Sequence, residues 1–138
     1  MRRGLCVVLG ASVFLAATAN AATPRHAAFA AFAGRWWGHT RGLTIRSDGH
    51  AAEFISSGCC DPVINLDFRL SRPRGNTEDA TAVATVTAVW VRDRSAFTAA
   101  DPAPHVGERR VIRLRDGVIT EPITGTNYCA AGVLKCGA

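Results

Sequence analysis

Hydrophobic and polar residues alternate along much of this chain, and the period is that of strands. Ile64, Leu66, Phe68 and Leu70 alternate with Asn65, Asp67, Arg69 and Ser71, which gives that segment one apolar face and one wet face. Leu43 and Ile45 alternate with Thr44 and Arg46, and Ile112 and Leu114 with Arg113 and Arg115. Between Thr81 and Val91 the threonines, valines and single tryptophan favour a strand over a helix. Asp48-Gly49 and Asp116-Gly117 stand between such runs and supply the positive φ angles of tight hairpins. Pro73-Arg74-Gly75-Asn76 opens a looser connection, and a long loop is predicted from Arg92 to Gly107, with Pro102 and Pro104 in it. The one helical segment predicted is the alanine-rich stretch from His26 to Phe32. Six or seven short strands joined mainly by hairpins make a meander, and closure removes its reactive edges. The predicted fold is all-β: a small antiparallel meander closing into an up-and-down β-barrel.

The beginning of the chain has a different pattern. Met1-Arg2-Arg3-Gly4 is a basic start, Leu5 to Ala17 an apolar stretch, and Ala19-Asn20-Ala21 an A-x-A cleavage site. The chain therefore divides into a signal peptide, 1–21, and a single secreted β domain, 22–138, located outside the cell or in the envelope. The apolar stretch is shorter than the roughly 18 to 20 residues that span a bilayer, so no stable membrane insertion is expected after cleavage. Cys6 lies upstream of the cleavage point, which argues against a lipid anchor.

Export changes the meaning of the cysteines. Cys59, Cys60, Cys129 and Cys136 form an even set in an oxidising compartment, where such sets make disulfides. A ring closed between neighbours is strained, so Cys59 and Cys60 are each expected to bond a different partner, Cys129 or Cys136, with the connectivity open. Each link would close a loop of about 70 residues, worth roughly 4 kcal/mol in the chain-entropy model. There is no C-x-x-C, and the spacing fits no common zinc motif, so neither a metal nor a cofactor is expected.

The formal net charge of +5 includes Arg2 and Arg3, and Lys135 is the sole lysine. The arginines are spread along the chain with no dense run, which does not suit a nucleic-acid partner. Ser56-Ser57 lacks a G-x-S-x-G turn, no glycine-rich phosphate loop is present, and the adjacent carboxylates Glu78-Asp79 read as a solvated loop tip. These features predict a protein that is not an enzyme. Trp36, Trp37 and Trp90 read as core residues rather than stacking platforms.

The polar positions of the first strand give the sharpest functional expectation. If the chain runs from Trp37 to Ile45 without a bulge, Trp37, His39, Arg41, Leu43 and Ile45 share the inward face. His39 and Arg41 inside a barrel would need partners, with Glu121 or Glu53 as candidates. Alternatively, a bulge at Gly38 or Gly42 flips the register and puts both in solvent. The ligand-binding candidates are therefore Trp37, His39, Arg41 and Leu43, holding a small amphiphilic or anionic ligand in the barrel mouth. The rival reading is an interaction or inhibitor module that contacts an envelope protein through the 92–107 loop, with Phe97, Pro102 and Pro104 stiffening the surface.

Two resemblances accompany these readings. Phe32-Ala33-Gly34-Arg35-Trp36 resembles the G-x-W signature of lipocalin-like (calycin) barrels, which implies a tryptophan plugging the closed end with Arg113 or Arg115 packed over its ring. The run from Trp37 to Gly49, with Gly58-Cys59-Cys60-Asp61-Pro62-Val63, Pro104-His105-Val106-Gly107 and Thr124-Gly125-Thr126-Asn127-Tyr128-Cys129, resembles small secreted actinobacterial proteins of the mycobacterial type. That resemblance implies an exported single domain of unassigned role and carries no catalytic residues with it.

Overall fold

The alternation resolves into eight antiparallel strands, each paired with its neighbour in the chain and the eighth with the first, so the sheet is a closed barrel. The computed structural model describes residues 29–58, 60–121, 124–131 and 133. The predicted signal peptide, Cys59 and Cys136 lie outside the described residues. The strands are β1 (Gly34–Gly38), β2 (Arg41–Ile45), β3 (His50–Ser57), β4 (Asp61–Gly75), β5 (Asp79–Val91), β6 (Arg109–Arg115), β7 (Val118–Glu121) and β8 (Thr126–Ala130). Because the strands alternate in direction, the 39–40, 58–60, 92–108 and 122–125 connections gather at one end, the mouth. The 46–49, 76–78 and 116–117 turns gather at the other end, the base.

The chain from Trp37 to Ile45 does not run as one strand. His39 and Thr40 make a two-residue turn, with Thr40 at φ 58°, and β1 folds back on β2 with Trp36 opposite Leu43 and Trp37 opposite Gly42. An odd-numbered residue therefore pairs with an even-numbered one, and the inward parity changes across the turn. Trp36 faces in from β1, and Arg41, Leu43 and Ile45 face in from β2. Nothing in His39-Thr40 resembles hairpin-turn chemistry, which is why the alternation reads as a single strand. The two Asp-Gly turns are hairpins as predicted, and in the second both Asp116 (φ 51°) and Gly117 (φ 73°) take the left-handed conformation.

The base is plugged. Residues 29–32 form one helical turn, Phe32 is fully buried, and its carbonyl accepts a hydrogen bond of 2.8 Å from the Trp36 indole N–H. The expected arginine cover over this ring is absent among the described residues. Ile112 and Leu114 take the inward positions of β6, which turns Arg113 and Arg115 out to solvent. Above Trp36 the interior is filled by Phe68, Leu66, Leu70, Ile119 and Tyr128. Opposite these, β5 presents Ala80, Ala82 and Ala84, with Val86 paired to Phe68. Small residues on one wall leave room for large ones on the other, so the lower barrel is a packed core.

β4 and β5 are the longest strands, and they bend where their register shifts at Asp67/Phe68 and Ser71/Arg74, with Arg72 at φ 51°. The closing seam is the shortest pairing. Among the described residues β1 and β8 share two register pairs, Trp36 with Ala130 and Trp37 with Cys129.

Candidate functional site

Two buried carboxyl groups stand where the packed core ends and the mouth begins. On β3, Ala51, Glu53 and Ile55 are the inward positions, and on β7 Ile119 and Glu121 are, so strand parity alone carries both acids inside. Glu53 is 3 % exposed and Glu121 0 %. The Tyr128 hydroxyl, from β8, donates to Glu53 Oε1. The Thr124 hydroxyl lies 3.1 Å from the same oxygen, 2.8 Å from Glu121 Oε2 and 2.7 Å from the Thr126 hydroxyl, while the Thr124 amide donates to Glu121 Oε2 at 2.8 Å. Glu53 Oε2 is buried with no hydrogen-bond partner.

Burial, and then the charge of Glu121, push the Glu53 carboxyl up to about 8, which outweighs the donors Tyr128 and Thr124 and the more distant Arg41 charge. At neutral pH Glu53 is therefore mainly the neutral acid. The Tyr128 hydroxyl is pushed up by burial first and by the neighbouring Glu53 second, so it stays a donor. Glu53 and Glu121 had been expected to neutralise His39 and Arg41. Their close hydrogen-bond partners are instead a tyrosine and a threonine.

Above this cluster is a cavity of about 450 Å³, within the range of small-molecule sites. Arg41 and Arg110 supply cations to its lining and Asp101 a carboxylate, while Ile55, Ile64, Phe97 and Pro102 form its apolar part. Thr124 lines the cavity and also touches both carboxyl groups, so its hydroxyl links the two layers. Arg41 is held by a 3.0 Å bond from its Nε to the His39 carbonyl, and Arg110 is 2.6 Å from Glu108. The 92–108 loop forms one wall. Its amide at Arg92 bonds the Val63 carbonyl at 2.8 Å, and Asp93 caps a single 3-10 turn, Arg94–Ala96, through the Ser95 amide. Phe97, Pro102 and Pro104 face this cavity, which leaves His105 and Val106 as the loop's exposed tip.

Of the four ligand-binding candidates, the structure brings one to this cavity. Arg41 lines it. Leu43 faces inward but is buried in the core. His39 is exposed in the β1–β2 turn, and Trp37, 49 % exposed, lies on the outer wall because the turn inverts the parity. Trp90, also read as core, is 46 % exposed on the outer wall. His50 contacts Arg69 outside the barrel, and His105 lies 3.4 Å from Glu108 in an exposed pair. The Glu53–Glu121 pairing escaped sequence reasoning because 67 residues of chain and three strands separate the two acids. The available signal was that each occupies an apolar-parity position.

Of the two cysteine connectivities expected, the described residues bear on the one that joins Cys60 to Cys129, since Cys59 and Cys136 lie outside them. Cys60 is exposed in the β3–β4 turn, and Cys129 is buried on the outer side of β8, level with Trp37. Trp37 is level with Gly42, and Gly42 with Phe54. Three strand spacings, about 14 Å around the wall, therefore separate Cys129 from β3 even before the rise to Cys60. A direct bond needs Cα atoms within about 7 Å, so a Cys60–Cys129 link does not fit this barrel.

No protein-family model, no curated protein and no solved structure matches this chain. The fold and the site geometry alone therefore carry the functional argument.

Proposed function

We propose that this is an exported, non-catalytic binding protein that takes the anionic end of a small amphiphile into the mouth cavity. The observation that carries this reading is the composition of that cavity: two arginines against one carboxylate, Asp101, beside an apolar wall of Ile55, Ile64 and Phe97, above a core already filled by its own side chains. An acid headgroup would meet Arg41 and Arg110, and its hydrocarbon part would lie against Ile55, Ile64 and Phe97. The carboxyl pair reaches the cavity only by way of Thr124, an arrangement suited to holding a ligand rather than to proton transfer onto one.

The rival reading, an interaction module using the 92–107 loop, has less support, because the stiff residues of that loop are turned into the cavity. We also propose that Cys129, buried on the outer side of β8, is held in a disulfide with Cys59 or Cys136.

Titration with dodecanoate, against dodecanol as the uncharged contrast, tests the ligand reading by calorimetry. Saturable binding of the carboxylate, weakened about tenfold or more by Arg41→Ala, is the expected result. Equal binding of the alcohol, or indifference to Arg41→Ala, would sink it.

A further inference from the structure

The outer wall of the barrel carries a feature that the mouth cavity does not use. In a closed barrel with a packed interior, outward positions are normally polar. Here Trp37, Phe54 and Trp90 are 49 %, 44 % and 46 % exposed, and they occupy a single register row. That row runs Trp37–Gly42–Phe54–Asn65–Trp90 across β1 to β5. The positions between the aromatics are short. Gly42 has no side chain, and the Phe54 ring fills the space above it so closely that a Cβ there would come within 2.3 Å of the ring. The same ring meets Trp37 edge to face, with centroids 6.3 Å apart. Phe54 is thus fixed in place by a glycine beneath it and a tryptophan beside it.

Low floors between tall walls make hollows, and three of them adjoin. One, of about 420 Å³, lies between Phe54 and Trp90 over Asn65 and Ala52. It shares Thr44, Ala52 and Asp67 with a hollow of about 370 Å³ that reaches His50 near the base. It shares Phe54 with a smaller hollow beside Trp37 and Thr40. The result is a continuous trough along the outer face of β2 to β5.

The lining of the trough identifies its occupant. Its walls are aromatic, but its floor is made of short polar or small residues, which would leave an aliphatic chain poorly matched. The side chains of Asn65, Asp67 and Arg92 make no hydrogen bond or ion pair among the described residues, so an amide, a carboxylate and a guanidinium stand ready on a wet surface. Apolar ring faces combined with donors and acceptors of both kinds suit a ligand that is itself two-sided. A pyranose ring presents C–H groups on its faces and hydroxyls around its rim. Phe54 and Trp90 stand two strand spacings apart, about 10 Å at the backbone. That leaves room for one saturated ring at roughly 3.5 to 4 Å from an aromatic on each side. The elongated trough admits further rings in line.

We infer that the β2–β5 trough is a glycan-binding site, with Trp90 and Phe54 stacking on a sugar ring and Asn65, Asp67 and Arg92 bonding its hydroxyls. Its Phe54–Trp90 hollow shares no lining residue with the mouth cavity, and Arg41 alone lines both that cavity and the small hollow beside Trp37, so sugar binding over Trp90 and anion binding in the mouth are tested separately.

The test uses the full chain, with β-1,4-linked glucose and N-acetylglucosamine tetrasaccharides as probes and maltotetraose as a differently shaped contrast. At least one β-linked probe is expected to bind saturably by calorimetry and to shift the tryptophan emission. Trp90→Ala and Phe54→Ala should each weaken that binding about tenfold, the scale of one lost aromatic stack. Both residues are half exposed, and an unchanged circular dichroism melt would establish that the variants fold. Arg113→Ala, exposed on β6 and lining none of these hollows, serves as the control and should bind the sugar as the parent does. Absence of saturable binding with all three sugars would overturn the inference, as would binding insensitive to Trp90→Ala and Phe54→Ala. Adsorption to anionic lipid vesicles that those two substitutions abolish would overturn it too, by assigning the trough to a membrane surface.

Discussion

Glu53 shows how a single side chain can give a barrel its pH response. Its acid form is favoured by burial and by Glu121, so the folded state holds a proton that the unfolded chain releases near 4.5. The sign follows from proton linkage: the contribution to stability is complete below about 4.5, declines as pH rises toward about 8, and is absent above that. Glu53→Gln keeps the shape and an acceptor for Tyr128 while removing the titration. Urea midpoints of this variant should be nearly level between pH 5 and 8, where those of the parent fall, and the variant should be the more stable protein at pH 8. At Gly42 a side chain of one carbon is enough to displace the Phe54 ring. Gly42→Ala is expected to leave the thermal midpoint within a few degrees, because β2 tolerates alanine and the ring has solvent to move into. The same substitution should weaken tetrasaccharide binding in the trough, as measured by calorimetry.

At the scale of elements, the two halves of the barrel were unequally legible. Ile64 to Leu70 and Thr81 to Val91 announce β4 and β5 by pure alternation, and Asp48-Gly49 and Asp116-Gly117 announce their turns by composition. β1 and β2 were merged because a β-branched threonine, rather than glycine or asparagine, sits at the left-handed position of their turn. One misplaced reversal moved Trp37 and His39 from outside to inside, while Arg41 and Leu43, beyond the turn, kept the orientation predicted for them. Thr40 pays for that conformation. Asparagine, which tolerates it better, should stabilise the protein by about 1 kcal/mol in urea denaturation when introduced as Thr40→Asn. Glu53 and Glu121 were each readable as inward, but their meeting was not, since it depends on which strands the closed sheet places near one another.

Over the whole molecule, the interior divides into a dry base and a polar upper layer. Phe32, Trp36 and Phe68 hold the base, and Phe68→Ala should cost about 3 to 5 kcal/mol, read as a fall in the urea midpoint, because its β5 partner Val86 and the nearby Ala84 are too small to close the gap. The upper layer buries two carboxyl groups and, among the described residues, leaves Glu53 Oε2 without a hydrogen-bond partner, a cost that the apolar base does not carry.

Closure of the cylinder rests on its narrowest join, which among the described residues is the two residue pairs between β1 and β8. Local opening free energy scales with the number of bonds that must part together, so this is where the wall should unfasten first. Deuterium uptake should accordingly be fastest where those two strands face each other, and slowest along β4 and β5. A molecule caught in that unlatched state offers two complementary strand borders, and at high concentration a second molecule in the same state could fill them, giving an exchanged dimer rather than a tangled precipitate.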